Sequence, residues 1–262
     1  MNSILSKDGT TIAFDRAGAE SPVILVNGAL GDRAGTGPLA RLLDSYFTVY
    51  TYDRRGRGDS ADMPPYALER EVEDLEAILA ETGGSAYVYG TSSGGNLALE
   101  AAARGAAITK LALWEPNFLV DDTRPPLPKD YVEHLDQLVA SGRRGDAVEY
   151  FMTAAAGVPA QFVTPMRGMP MWPEMEALAH TLAYDGRVVG NNMSGSEVSR
   201  ARWASVTIPT VVIDGGQTPG LAQGADAIAA ALPDARRRTL TGQTHDVAAD
   251  AIAPALREFF TG

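Results

Sequence analysis

No cysteine occurs anywhere in the chain. That excludes disulfide bridges, thiol nucleophiles and cysteine-ligated metals. Histidine is nearly as scarce. His134, His180 and His245 are the only three in 262 residues, and they stand too far apart for a short ligand spacing of the H-x-x-x-H kind. Neither a metal nor a cofactor is expected. Basic residues are in deficit, with 22 Lys and Arg against 33 Asp and Glu, for a formal net charge of −11. A surface of that sign repels nucleic acid and anionic membranes, so neither is an expected partner. Long apolar runs are missing as well. No stretch approaches the roughly 20 residues that span a bilayer, and Met1 to Gly9 lacks the apolar run of a signal peptide. The expectation is a soluble, cytoplasmic protein whose partner is a small molecule. Its oligomeric state is not written in the sequence.

What is present is 45% hydrophobic residues in a length that suits a single α/β domain. Asp8-Gly9 is a two-residue turn signal inside a hairpin over residues 3–16. Pro22 to Val26 is a continuous apolar run, the pattern of a strand buried on both faces. Strands are also predicted over 47–52, 86–89, 108–114, 210–214 and 235–240. Helical patterns fall at 39–43, 68–79, 96–103, 221–232 and 249–261. This alternation predicts a doubly wound, mainly parallel α/β sheet. Between the strands at 108–114 and 210–214 lies a helical excursion, with apolar faces at Val132, Leu135, Leu138 and Val139 and further helices over 145–156 and 173–184.

Ala86-Tyr87-Val88-Tyr89 runs into Gly90-Thr91-Ser92-Ser93-Gly94, and a helical segment starting at Asn96 follows at once. Strand, tight turn and helix with a serine at the apex make Ser92 a candidate nucleophile. The glycines are needed because the turn is cramped. The helix that follows points its positive end at the same place. A serine hydroxyl needs a base. His245 lies in Thr241-Gly242-Gln243-Thr244-His245-Asp246, after the last predicted strand, where a loop can face Ser92.

Four segments together resemble the α/β-hydrolase superfamily over essentially the whole chain. They are Asn27-Gly28-Ala29, Asp53-Arg54-Arg55-Gly56-Arg57-Gly58-Asp59-Ser60, the turn at Ser92, and Gly242-Gln243-Thr244-His245. The resemblance implies an α/β-hydrolase fold and an oxyanion hole from the backbone N–H groups of Ala29 and Ser93. Asn27 stands where the family more often has histidine. The third triad member departs from the usual pattern. Counting from Gly215, the family's aspartate falls on Thr218, which carries no charge. Asp214 is one replacement. Glu115, at the end of the strand 108–114, is the other and is preferred, because some relatives (haloalkane dehalogenases among them) carry their acid there. Pro116 is expected to hold Glu115 in an extended backbone.

Residues 120–186 have the place and length of a helical cap over a core formed by 1–119 and 187–262. Met and aromatic residues are frequent in the cap, and Met adapts to irregular apolar surfaces. Candidate substrate contacts are Asn27, Trp114, Phe151, Met152, Met166, Met171 and Trp172. Arg143-Arg144 and Arg236-Arg237-Arg238 read as solvated charge runs. The implied chemistry is acyl transfer to water on an ester, thioester or lactone of a small apolar substrate. Carbon–carbon bond hydrolysis and a non-hydrolytic use of the fold, as a cyclase or a small-molecule binder, stand as alternatives.

Overall fold

The computed structural model describes residues 1–198 and 200–262. At the Asp8-Gly9 turn Gly9 takes φ +88°, and β1 (Asn2–Leu5) pairs antiparallel with β2 (Thr11–Ala17). The apolar run then forms β3 (Pro22–Val26), in which Val23 to Val26 are fully buried. After it come α1 (Gly37–Leu43), β4 (Thr48–Tyr52), α2 (Leu68–Glu81), β5 (Ala86–Thr91), α3 (Ser93–Ala103) and β6 (Ile108–Trp114).

The helical excursion consists of α4 (Tyr131–Ala140), α5 (Arg144–Tyr150), a wide π-type turn over Phe151–Ala155, α6 (Ala160–Met166), α7 (Trp172–Leu178), a tight turn over Ala179–Thr181 and α8 (Leu182–Val189). The chain closes with α9 (Arg200–Trp203), β7 (Thr210–Gly216), α10 (Leu221–Ala231), β8 (Ala235–Gln243) and α11 (Ala249–Thr261). The sequence pattern missed α6, whose interior Pro165 argues against a helix, and it ran α7 and α8 together.

Among the described residues eight strands form one sheet in the order β1-β2-β4-β3-β5-β6-β7-β8. Only β1 and β2 run antiparallel to their neighbours. Each face is covered, which is why β3 is apolar throughout. Val72, Leu75 and Ile78 of α2, Leu97 of α3 and Ile228 of α10 pack on one face. Leu39 and Leu43 of α1 and Ile252, Leu256 and Phe260 of α11 pack on the other. β8 is a charged edge strand, as suits an edge that must not pair further. Its Arg237 turns inward to Asp214 and Asp226, so this part of the Arg236–Arg238 run is not simply solvated.

The order in which strands are laid down reverses between the parallel neighbours β3 and β5, the switch point outside whose carboxyl ends ligands bind in open α/β sheets. The excursion has its own apolar cluster, including Tyr131, Leu135, Val148, Val163, Trp172 and Leu182, and Ala29 and Leu30 from the loop after β3 pack against it. The division expected at 186/187 falls inside α8. There Leu182 and Ala183 belong to the cap cluster, and Val188 belongs to the sheet's. No helix among the described residues is long and apolar enough to cross a membrane.

The glycines around Ser92 are required by space. A Cβ on Gly90 would lie 2.7 Å from both Gly94 O and Gly95 Cα; one on Gly94 would lie 2.3 Å from Asn27 O and 2.4 Å from Val26 O. The strained angles sit on Ser92 itself, at φ +54° and ψ −129°, in a region that costs a side-chain-bearing residue about 1–3 kcal/mol. Since β3 and α3 are both locked into the core, Gly94→Ala should lower unfolding stability by about 3 kcal/mol or more. Urea denaturation checks this, and a loss below about 0.5 kcal/mol would show that the turn relaxes freely.

Candidate active site

The strained turn lifts Ser92 above the sheet at the start of α3, with its side chain half-buried. Its N–H donates to Trp114 O on the neighbouring strand at 2.9 Å. On the other side the loop after β3 closes in, and a Cβ on Gly28 would stand 2.9 Å from Ser92 Cβ. Ala29 and Ser93, the two expected backbone donors, follow Gly28 and Ser92 directly along the chain. They therefore lie at this junction of β3 loop and α3.

His245 lies in the loop after β8. Its Nδ1 is 2.7 Å from Glu115 Oε2. Glu115 Oε1 accepts the N–H of Gly215 at 3.2 Å, and the residue is fully buried. A buried carboxylate with both oxygens engaged can hold an imidazole in one tautomer, Nδ1–H donating and Nε2 free to accept. Asp214 does not reach His245. Its carboxylate is turned to Arg237 on β8. The extended backbone expected for Glu115 is not what forms. Its φ is +39°, and this left-handed kink at the strand end is held by Glu115 N–H donating to Ile213 O at 2.9 Å. The three bonds of this residue outweigh the local preference imposed by Pro116.

Ser92 Oγ hydrogen-bonds to Asn117 Oδ1 at 3.2 Å; among the described residues no hydrogen bond joins it to His245. What links the two is Trp114. Its carbonyl takes Ser92 N–H, and its indole N–H donates to His245 O at 2.9 Å.

Several expected substrate contacts sit elsewhere. Trp114 is fully buried in the sheet's apolar layer, with no surface left for a ligand. Trp172 is buried in the cap's own cluster, its indole N–H on Glu176. The Asn27 amide turns into its own loop and donates to Asp32 O. Met171 is exposed at 50%, outside the cap cluster. Phe151, Met152 and Met166 are half-buried on the cluster that also receives Ala29 and Leu30. A hollow of about 430 Å³ between Phe118, Trp203 and residues 191–198 includes neither Ser92 nor any of these three.

The residue that the sequence reading missed is Asp185 of α8, a cap residue buried against the core. Its carboxylate accepts from Arg54 Nη1 at 2.8 Å, from Arg57 Nη2 at 2.8 and 2.9 Å, and from Ser93 Oγ at 2.7 Å. Arg57 also donates to Gly28 O at 2.6 Å and Arg54 to Asn27 O at 3.1 Å. Glu71 takes Arg54 Nε at 2.5 Å. Two cations thus meet two anions, the balance a buried ionic cluster requires. The rest of the Asp53–Ser60 segment is equally structural. Arg55 forms a two-pronged pair with Asp74 at 2.7 Å each, and Ser60 Oγ bridges Asp53 O and Ala13 N–H. Arg54 and Arg57 were visible in that segment; nothing in the sequence marked Asp185 as their partner.

A family model described as "Alpha/beta hydrolase family" matches residues 23–255. The crystal structure of an alpha/beta hydrolase from Sphaerobacter thermophilus is 56% identical, covers 99% of this chain and 100% of that one, and superimposes with a TM-score of 0.92. Two curated relatives match over shorter stretches. The uncharacterized hydrolase YraK of Bacillus subtilis is 34% identical over 103 residues, 38% of each chain. The N-formylmaleamate deformylase of Pseudomonas putida is 36% identical over 98 residues, 36% of this chain and 37% of that one. The match thus spans well under half the length of the curated relatives.

Burial alone would raise the Asp185 carboxyl, but Arg57 and Arg54 hold it below its ordinary value. The unfolded chain therefore binds the proton more readily, so the clamp's contribution is complete above the ordinary carboxyl range and is lost as pH falls through the lowered value. Asp185→Asn, which leaves two buried guanidinium groups short of a partner, should cost about 3–5 kcal/mol at neutral pH. The difference between the urea midpoints of the two proteins should be constant above the ordinary carboxyl range and shrink as pH falls below it. A difference independent of pH would remove the charge from the explanation.

Proposed function

We propose, from the premise that the chain belongs to the alpha/beta hydrolase family, that it is a serine hydrolase. Its substrate is an ester, thioester or lactone of a small molecule that is apolar near the scissile bond. The reading is carried by one observation: a buried carboxylate, Glu115, lies 2.7 Å from Nδ1 of a loop histidine whose Nε2 has no hydrogen bond among the described residues, and Trp114 bonds both that histidine and a strained serine at a helix N-terminus. In the proposed reaction the Ser92 hydroxyl turns from Asn117 to His245 Nε2 and loses its proton there as Oγ attacks the acyl carbon. The N–H groups of Ser93 and Ala29 receive the oxyanion. His245 returns the proton to the leaving group, and water then repeats the sequence on the acyl-enzyme. Glu115 holds the imidazole and offsets its positive charge. Phe151, Met152 and Met166 supply apolar surface from the cap. The deformylase relative supports a second reading within the same chemistry, an N-formyl amide as substrate.

A fluorophosphonate probe, which labels an activated serine, tests the reading directly. Label should attach to Ser92 in the native protein, and its absence would favour a non-hydrolytic use of the fold. Ser92→Ala should leave the fold intact and lower kcat by several orders of magnitude, on the order of 10⁶ where such a nucleophile has been removed elsewhere. The choice of acid is tested by a pair of variants. Glu115→Gln should cost on the order of 10⁴ in rate. Asp214→Asn, which removes a partner of Arg237 on the edge strand, should cost far less. The reverse ranking in steady-state kinetics would transfer the role to Asp214.

A further inference from the structure

Asn117 faces the Ser92 hydroxyl, and the mechanism above uses it only as the resting partner. The 3.2 Å bond runs from the hydroxyl to the amide oxygen, since that oxygen accepts only. The position of Asn117 is fixed from behind. Its main-chain N–H donates to Asn96 Oδ1 at 2.8 Å, and its carbonyl accepts from Asn96 Nδ2 at 3.2 Å. Asn96 is 1% exposed and lies in the first turn of α3. The helix that presents Ser92 therefore also clamps the residue opposite it. Pro116 stiffens the connection to Glu115. Asn117 Nδ2, by contrast, has no protein partner among the described residues, and it is not among the polar atoms sealed in the interior.

Strand order decides which side of the nucleophile this amide occupies. β5 lies between β3 and β6. The β3 loop, with Gly28 and Ala29, closes on Ser92 from one side. Asn117 follows β6 on the other side, together with Glu115 and its bonded His245. In acyl transfer the oxyanion turns toward the backbone donors, and the leaving group departs toward the base that protonates it.

We propose that Asn117 is a further catalytic residue, on the leaving-group side. It accepts the Ser92 hydroxyl at rest. Once that hydroxyl has turned to His245, its amide N–H donates to the leaving-group oxygen and, in the second half, to the attacking water. This rests on the serine hydrolase reading. The Ser92 proton passes to His245 Nε2 as the bond from Oγ to the acyl carbon forms. That proton moves to the leaving-group oxygen as the carbon–oxygen bond breaks, and water supplies the next one. Asn117 exchanges hydrogen bonds throughout and neither gains nor loses a proton.

Two esters with a common butanoyl group separate this role from a structural one. p-Nitrophenolate leaves with little help, whereas ethoxide needs a hydrogen bond or a proton. On kcat/KM, which reports acylation, Asn117→Ala should lose about tenfold on the ethyl ester, at least about threefold more than on the p-nitrophenyl ester. Asn117→Asp keeps the side-chain shape and an acceptor for Ser92 but has no N–H donor, and it should show the same selective loss. This second variant also guards against an alanine form that fails to fold. Equal losses on both esters, or full activity of the aspartate form, overturn the inference alone. A native protein that takes no fluorophosphonate label overturns the hydrolase reading and this inference with it.

Discussion

Asp185 is one carboxylate carrying four hydrogen bonds in a place without water access, and it joins the helical excursion, the loop after β3 and the Ser92 turn. It comes from the cap's last helix. Its partners are Arg54 and Arg57 of the β4 loop and Ser93 of the turn, and the same two arginines grip the carbonyls of Asn27 and Gly28. An unpaired ion at such depth is costly, so separating α8 from the β4 loop is opposed by every bond of this cluster. Tyr66, stacked on Tyr184 of α8 at 4.1 Å and bonded to Glu71, extends the joint from the core side.

The second organising feature is the short stretch Trp114–Asn117. Trp114 takes the Ser92 N–H and gives its indole N–H to the His245 carbonyl. Glu115 engages the His245 ring, and Asn117 meets the Ser92 hydroxyl. Three residues within four consecutive positions thus touch both ends of the proposed chemistry. Rigidity here fixes Ser92 and His245 relative to each other, because two groups held by one segment cannot drift apart without distorting β6. The left-handed φ of Glu115 is the local strain that this arrangement retains.

Much of this was legible beforehand. The apolar run at 22–26 announced a strand buried on both faces. The Gly90-Thr91-Ser92-Ser93-Gly94 turn announced its own cramped geometry, since the glycines stand where a Cβ would strike Gly94 O or Asn27 O. The preference for Glu115 over Asp214 rested on its position at the end of the strand 108–114, where some members of the family that the sequence resembles carry their acid. Substrate contacts were much less legible. Trp114 and Trp172 looked like ligand-facing aromatics, yet both satisfy their indole N–H inside the protein and fill cores. Large aromatics bury themselves wherever a core offers an acceptor, and sequence does not say which core.

By itself the sequence determined the order of the strands and of the helices that flank the sheet, the sign of the surface, the absence of thiol chemistry, and a serine held at a tight turn. These follow from covalent chemistry, periodicity and the sterics of neighbouring residues, which act over a few positions. Only the tertiary structure decided that Asp185 answers Arg54 and Arg57, 131 and 128 residues away. It alone turned Asp214 to Arg237 and put Asn117, clamped by Asn96, opposite the Ser92 hydroxyl. A carboxylate or amide has no preferred partner in sequence. Its partner is whichever complementary group the folded chain brings within about 3 Å once water has been excluded.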